Sequence, residues 1–284
     1  MGIARVLRSA GSVSTAAVLS GVYAYGWLQT RSGRALASSN GGRSGQRRST
    51  RSAIASSGLA KRYMSFRMRD GSRMLARMVD SGGLLSVHAD RDYDVPGINW
   101  RDVRTIVDIG AHIGSFTVWA ARRAPNARCL AVEPNPVTFG LLGENVRANG
   151  LGERVILVNA AVAGKAGTGS LELVEHSLGT RLARSDAGEV SVEVVTLDGV
   201  AQVAGMESID VLKVDCEGME YELFGSMGAE RLAGIGVIAC EYHPEPGHDI
   251  SELDRVLTAA GFHVRHPSKP LGVLWATRPA QPTV

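Results

Sequence analysis

Thr105-Ile-Val-Asp-Ile-Gly-Ala-His-Ile-Gly114 decides how this chain folds. Thr105–Ile109 is a short β-branched run and reads as a buried strand. Gly110 lets the backbone turn sharply, and Gly114 stands just ahead of a helical stretch from Ser115 to Ala124. A strand, a glycine turn and a helix in that order begin a parallel α/β sheet, and such sheets bind ligands outside the carboxyl ends of their strands. The turn is therefore a candidate nucleotide grip, with Asp108, Gly110, His112 and Gly114 as its candidate residues. His112 lies within it, flanking a ligand or simply facing solvent.

Cys129-Leu-Ala-Val-Glu133 forms the next strand and places Glu133 at its tip, about 25 residues after Asp108. A carboxylate there can accept both hydrogens of a ribose diol. Pro134 and Pro136 fix the turn that presents it, with Asn135 between them. The glycine spacing is G-x-x-x-G, and Ala111 stands where a dinucleotide loop wants its second glycine. A pyrophosphate needs that close backbone approach and a sulfonium nucleoside does not, so the turn favours S-adenosylmethionine over NAD.

The same alternation continues outward. A helix is expected from Val137 to Ala148 and strands at Val155–Val158, Ile209–Val214 and Gly236–Tyr242, with helices over Glu220–Leu232 and Ser251–Ala260. Such an order specifies a mainly parallel sheet covered by helices on both faces. Leu171–Glu175 and Val190–Thr196 alternate in and out, as an inserted hairpin does, and Phe262–Arg265 with Val273–Thr277 closes the sheet edge as an antiparallel pair.

The later strands end in Lys213-Val-Asp-Cys-Glu-Gly218 and Glu241-Tyr-His-Pro244. Both tips open on the face of the Asp108 loop, which gathers Asp215, Glu217, Glu241 and His243 around one crevice. Four titratable groups there suit acid–base chemistry. In structural roles instead, Glu217 would cap the following helix and Glu241 would pair with Lys213. The Asp, Glu and His types also suit a divalent metal, but their spacing is not diagnostic and no metal is assigned.

Val107-Asp-Ile-Gly-Ala-His-Ile-Gly114, Ala131-Val-Glu-Pro-Asn-Pro136 with Asn145 and Asn149 downstream, Val194-Val-Thr-Leu-Asp198, Leu212-Lys-Val-Asp-Cys-Glu-Gly-Met-Glu220 and Cys240-Glu-Tyr-His243 closely resemble the FkbM family of S-adenosylmethionine-dependent methyltransferases. The resemblance covers roughly residues 100–245, and its K-x-D-x-E-G block is the most specific piece. It implies a class I methyltransferase fold: a Rossmann-like, mainly parallel seven-stranded sheet with helices on both faces. It also implies methylation of a hydroxyl on a sugar or polyketide-type molecule. The cofactor site would lie at Asp108, Gly110, Gly114 and Glu133, and the active site near Asp215 and Glu217. His112 departs from the family, which usually shows Asn there. A hydroxyl acceptor must shed a proton as its new bond forms, so Asp215 or His243 is expected as base, with Glu217 orienting the acceptor. His176–Thr180 would lie over the crevice, and Asp198 would cap the helix that follows it.

Of the chain's 284 residues, 44% are apolar and 21% charged, enough for a sizeable core. Its three cysteines, Cys129, Cys216 and Cys240, form no C-x-x-C pair, which disfavours a disulfide scaffold or a structural zinc. The net charge of +3 hides two opposite parts: residues 1–69 hold twelve of the 31 basic residues and no acid, leaving 19 basic against 28 acidic residues in 70–284, a net of −9. That acidic part is a poor partner for nucleic acid. Residues 1–30 read as a leader whose uncharged run, 9–30, would as a helix span roughly 33 Å and anchor the chain in a membrane with the catalytic domain on the cytoplasmic side. The Ser- and Arg-rich, acid-free composition equally describes an organelle transit peptide. Residues 31–60 read as a flexible basic linker, 61–103 as an N-terminal extension and 104–284 as the methyltransferase domain. Two other functions fit the pattern less well: an NAD-dependent oxidoreductase, and a binding protein that keeps the fold without activity.

Overall fold

The computed structural model describes residues 62–172, 181–182, 190–267 and 269–278, together with residues 10, 11 and 15. In chain order its strands are β1 (Tyr63–Arg67), β2 (Arg73–Arg77), β3 (Thr105–Ile109), β4 (Arg128–Val132), β5 (Val155–Val158), β6 (Ala161–Val162), β7 (Gly167–Glu172), β8 (Arg181–Leu182), β9 (Val190–Val195), β10 (Ile209–Val214), β11 (Ile235–Tyr242), β12 (His263–Arg265) and β13 (Gly272–Thr277). The helices are α1 (Ser81–Leu85), α2 (Ser115–Arg123), α3 (Pro136–Ala148), α4 (Leu197–Val203), α5 (Glu220–Ser226), α6 (Ala229–Ala233) and α7 (Ile250–Ala259).

Seven strands make the main sheet, in the order β12-β13-β11-β10-β3-β4-β5. The strands from β11 to β5 run parallel, and β13 runs antiparallel between β11 and β12. Reversal of strand order on either side of β3 and β10 leaves a crevice beyond their carboxyl ends, where a doubly wound sheet binds ligands. Strand alternation supplies one core on each face: Ile106 and Val211 pack with Phe116, Trp119 and Leu142, whereas Val107 and Leu212 pack with Phe224, Leu253 and Leu257. This is the class I methyltransferase architecture expected from the motifs.

The 61–103 segment belongs to the first of these cores, contributing Phe66, Met68, Met74, Leu84 and Tyr93. Two asparagines noted in the sequence tie it down. Asn145 is fully buried; its Nδ2 donates to Leu75 O and Ile113 O at 2.9 and 2.8 Å, and Leu75 N donates back to its Oδ1 at 2.6 Å. Asn149 brackets Arg73 in the same manner at 2.7 and 3.0 Å. After β2 the chain makes a 3-10 turn (Met78–Asp80), α1 and a π-helical turn (Ser86–Asp90), which together cover the Gly110 loop. Ala10 pairs with Met68 and Gly11 N donates to Arg67 O at 2.7 Å, so the start of the uncharged run touches the domain; most of 9–30 lies outside the described residues. Among the described residues no helix is long and apolar enough to cross a membrane.

Three local expectations are corrected. The helix expected over Glu220–Leu232 is two helices, α5 and α6, because Met227 is extended (φ −68°, ψ 128°) between the poor helix formers Gly225 and Gly228. The inserted hairpin is present as the antiparallel pair β7 and β9, but β6 and β8 extend it into a separate four-stranded sheet. Its loop at His176–Thr180 lies outside the described residues. Thr196, not Asp198, caps α4: Gly199 N donates to Thr196 Oγ1 at 3.1 Å from the extended residue at the cap position, while Asp198, already inside the first turn, pairs with Arg231.

Candidate active site

The site is built from two strand ends side by side. β3 and β10 pair in register from Ile106 and Val211 to Ile109 and Val214, so the turns that follow them meet. Gly110 N and Ala111 N both donate to Val132 O, at 2.9 and 3.0 Å, folding the first turn back over β4. Gly110 has φ +70°, and a Cβ there would lie 1.8 Å from Asp215 O. Only glycine permits this approach, which ties the candidate cofactor loop to the candidate catalytic turn.

Lys213 is the buried cation beneath both. Its Nζ donates to Gly110 O at 2.6 Å and Ile109 O at 3.2 Å, and lies 3.2 Å from Asp108 Oδ1 and 3.6 Å from Asp215 Oδ2. Burial alone would lower its pKa, but Asp108 and Asp215 outweigh that and raise it, so the ammonium is permanent. Lys213 therefore pairs with the two aspartates rather than with Glu241. Asp108, 1% exposed, also accepts from Thr117 Oγ1 at 2.5 Å and so supports the loop from behind.

Glu133 has a similar supporting geometry. His112 N donates to its Oε2 at 2.7 Å, and Asn135 N and Thr138 Oγ1 donate to its Oε1 at 2.9 and 2.8 Å. Burial raises its pKa against these bonds. Asn135 caps α3, its Oδ1 accepting from Val137 N at 3.0 Å. Gly114, at φ +83°, packs its open face against Leu142.

In front of the loop is a cavity of about 250 Å³ that brings together Gly110, Ala111, His112, Ser115, Lys213, Asp215, Glu217 and Glu241 under a roof of Gly82, Gly83, Ser86 and Tyr93. Among the sequence candidates, Gly110, His112, Asp215 and Glu217 are on its wall, whereas Asp108, Gly114, Glu133, Asn135 and His243 do not line it. His112 lies in the left-handed region (φ +53°) with its Nε2 3.6 Å from Asp80; burial pulls its pKa down to about 4, so it is neutral.

The catalytic candidates converge. Asp215, Glu217 and His243 place one nitrogen or oxygen each within 4.8 Å of one another. His243 Nε2 is 3.3 Å from Glu217 Oε2, and its Nδ1 is 3.0 Å from Glu220 Oε1. That spacing would admit a divalent cation, yet both ring nitrogens already face carboxylates, which favours an ion-pair network over a metal centre. Tyr93, from the extension, donates to Glu241 Oε2 at 2.6 Å and to Asp215 Oδ2 at 3.3 Å. Burial and the charge of Asp215 push Glu241 up to about 7.

Two of these residues were not singled out by motif. Glu220, fully buried, ties down the turn, whereas Glu217 does not cap the following helix: Glu220 accepts from Gly218 N at 2.9 Å and from Cys216 N at 3.1 Å. Its signal was available, an acid at the first position of a helix that follows a glycine turn. Tyr93 had none, because 86–93 shows no apolar period.

Comparison with known proteins now bears on this geometry. The model of the methyltransferase FkbM domain matches residues 108–264. The chain belongs to the FkbM methyltransferase family. Its relatives include methyltransferase sdnD of Sordaria araneosa, 27% identical across 63% of this chain and 80% of that protein. The 31-O-demethyl-FK506 methyltransferase FkbM of Streptomyces tacrolimicus is 26% identical across 65% and 82%, and the hexuronic acid methyltransferase AglP of Haloferax volcanii is 27% identical across 54% and 61%. The FkbM match begins at Asp108 and spans every candidate site residue, whereas Tyr93 and the glycine roof precede it.

An FkbM methyltransferase requires S-adenosylmethionine, and the cavity fits its amino-acid end. Ser115 Oγ is buried on the wall with no hydrogen-bond partner among the described residues, at the N-terminus of the nine-residue α2. An orphaned hydroxyl beside a helix N-terminus suits a carboxylate. The acidic wall opposite, Asp215 and Glu241, suits an ammonium or sulfonium.

Proposed function

We propose that this protein transfers the methyl group of S-adenosylmethionine to a hydroxyl oxygen of a small molecule or sugar. The observation that carries this is the convergence of Asp215 and Glu217 with the Gly110 loop on one cavity wall. When bound, the cofactor supplies an electrophilic methyl on a sulfonium. Gly110, Ala111, His112 and Ser115 would hold it, with Glu133 acting through the His112 amide. The chain's own residues then align the acceptor oxygen with that methyl and take up its proton. Asp215, 3.6 Å from the Lys213 ammonium, is the proton acceptor. Glu217 orients the acceptor.

The acceptor would reach this point from the side of the small sheet. Cavities of about 510 and 710 Å³ share Tyr221, Glu245 and His248, and the smaller begins at Gly218, next to Glu217. Glu222, Glu245 and Asp249 on their walls can accept hydrogen bonds from several hydroxyls. The relatives named as methyltransferases of 31-O-demethyl-FK506 and of hexuronic acid support a hydroxylated acceptor.

Calorimetric titration with S-adenosylhomocysteine and with NAD tests the cofactor, and binding of NAD alone would overturn the proposal. Asp215→Asn keeps the shape and removes the charge. S-adenosylhomocysteine affinity should hold within a few-fold while methyl transfer to an accepted glycoside falls at least tenfold. Unchanged turnover would remove Asp215 from the chemistry. The leader is proposed as a membrane anchor; survival of the full chain in the membrane fraction through alkaline carbonate washing tests it, and a soluble form whose N-terminus lies near residues 35–60 would establish a cleaved targeting peptide instead.

A further inference from the structure

His243 was expected as an alternative base. Its surroundings assign it a different role. The imidazole lies between two carboxylates, Glu220 Oε1 at 3.0 Å from Nδ1 and Glu217 Oε2 at 3.3 Å from Nε2. Asp215, just after β10, brings a third polar atom within 4.8 Å of the other two, and Glu241 lies on β11 two residues before His243. From α5, Tyr221 donates its hydroxyl to His243 O at 3.2 Å. Among the described residues, the titratable groups facing the ring are thus acids, and Lys213 is committed to Asp108, Asp215 and two backbone carbonyls.

Glu220 stands apart from the others in this group. It is fully buried, so water cannot compensate its charge. Three donors do so: the amides of Cys216 and Gly218, and His243 Nδ1. The two amides belong to the turn that carries Asp215 and Glu217, and in that turn Glu217 adopts φ +53° and Gly218 φ +107°. One carboxylate therefore fixes the turn from below and the imidazole from the side.

We propose that Glu220 is the positioning residue of the active site: it locks the Asp215–Gly218 turn to His243 and keeps that histidine an imidazolium, so that His243 acts as a charged hydrogen-bond donor in the crevice and never as the base. Burial alone would lower the histidine's pKa, but the bond to Glu220 and the charges of Glu220, Glu217 and Asp215 outweigh it and raise it to about 9, consistent with this role. Proton removal then rests with the carboxylates, and Nε2–H is available to hold Glu217 or the acceptor oxygen. This inference rests on the methyltransferase reading for its catalytic meaning, but the charge state can be measured without an acceptor.

The test is nuclear magnetic resonance of the full chain with ¹⁵N-labelled histidine, the His243 signal being assigned by its loss in His243→Asn. In the wild type, both ring nitrogens should stay protonated through neutral pH. Glu220→Gln, which keeps the shape, should weaken the proton affinity of His243 at least tenfold, and Glu220→Asp should restore part of it. A wild-type His243 that is neutral at pH 7, or a midpoint unmoved by Glu220→Gln, overturns the proposal. If Glu220→Gln does not fold, Glu217→Gln supplies the same comparison from the exposed side, with a smaller drop expected and no drop refuting the carboxylate clamp. Calorimetry with S-adenosylhomocysteine on the same samples reports separately on the methyltransferase reading.

Discussion

Replacing Gly110 by alanine tests whether the two turns at the crevice behave as one unit. The substitution has two costs. Holding a Cβ in the left-handed region at φ +70° costs about 1–2 kcal/mol. The new atom would also lie 1.8 Å from Asp215 O, against roughly 3.5–4 Å for an unstrained contact, and that oxygen is backbone. The turns must part, at an overpacking cost of about 1–3 kcal/mol. Together these amount to about 2–5 kcal/mol, or roughly 4–20 °C in Tm for a domain of this size. Gly97→Ala is the control, because Gly97 also has a positive φ (+91°) but nothing within 4 Å of its Cβ position. It should lose only the backbone part, about 1–2 kcal/mol. Thermal melts of both variants give the difference, and calorimetry with S-adenosylhomocysteine shows whether parting the turns weakens the cofactor site as well. If Gly110→Ala melts with Gly97→Ala and binds S-adenosylhomocysteine like the wild type, the turns are not coupled through this contact.

Two further outcomes follow from buried charge. Lys213→Met leaves Asp108 buried without its cation and should cost about 3–5 kcal/mol in urea denaturation, whereas a loss below 1 kcal/mol would show that Thr117 alone satisfies Asp108. His88 and His112 are both held neutral, chiefly by burial, with pKa values near 4 against 6.5 in the unfolded chain. The unfolded state therefore takes up more protons between these values, and stability falls as pH drops from about 6.5 towards 4, by about 3 kcal/mol for each histidine. His88→Gln should flatten that pH dependence by one histidine's share, and an unchanged slope would count against it.

The sheet and the position of its ligand crevice are readable from short stretches of sequence alone. Thr105–Ile109 and Ile209–Val214 are short β-branched runs followed by glycine turns, a local pattern that sets a strand and its end without reference to the rest of the chain. The convergence of Asp215, Glu217 and His243 followed from topology, since parallel strands end on the same side. Contacts between distant parts of the chain arise only once the elements pack. Glu133 and Asp108 could be placed at strand tips, but whether a carboxylate faces a ligand or its own backbone depends on which amides packing brings to it; here His112 N, Asn135 N and Lys213 arrive. Tyr93 reaches Asp215 and Glu241 across 122 and 148 residues, and Glu220 rather than Glu217 takes the turn amides because a left-handed backbone at Glu217 aims its side chain at His243 instead. Local propensity fixes where elements begin and end, but a buried charge finds its partner only once burial has removed water and left the nearest donor to replace it.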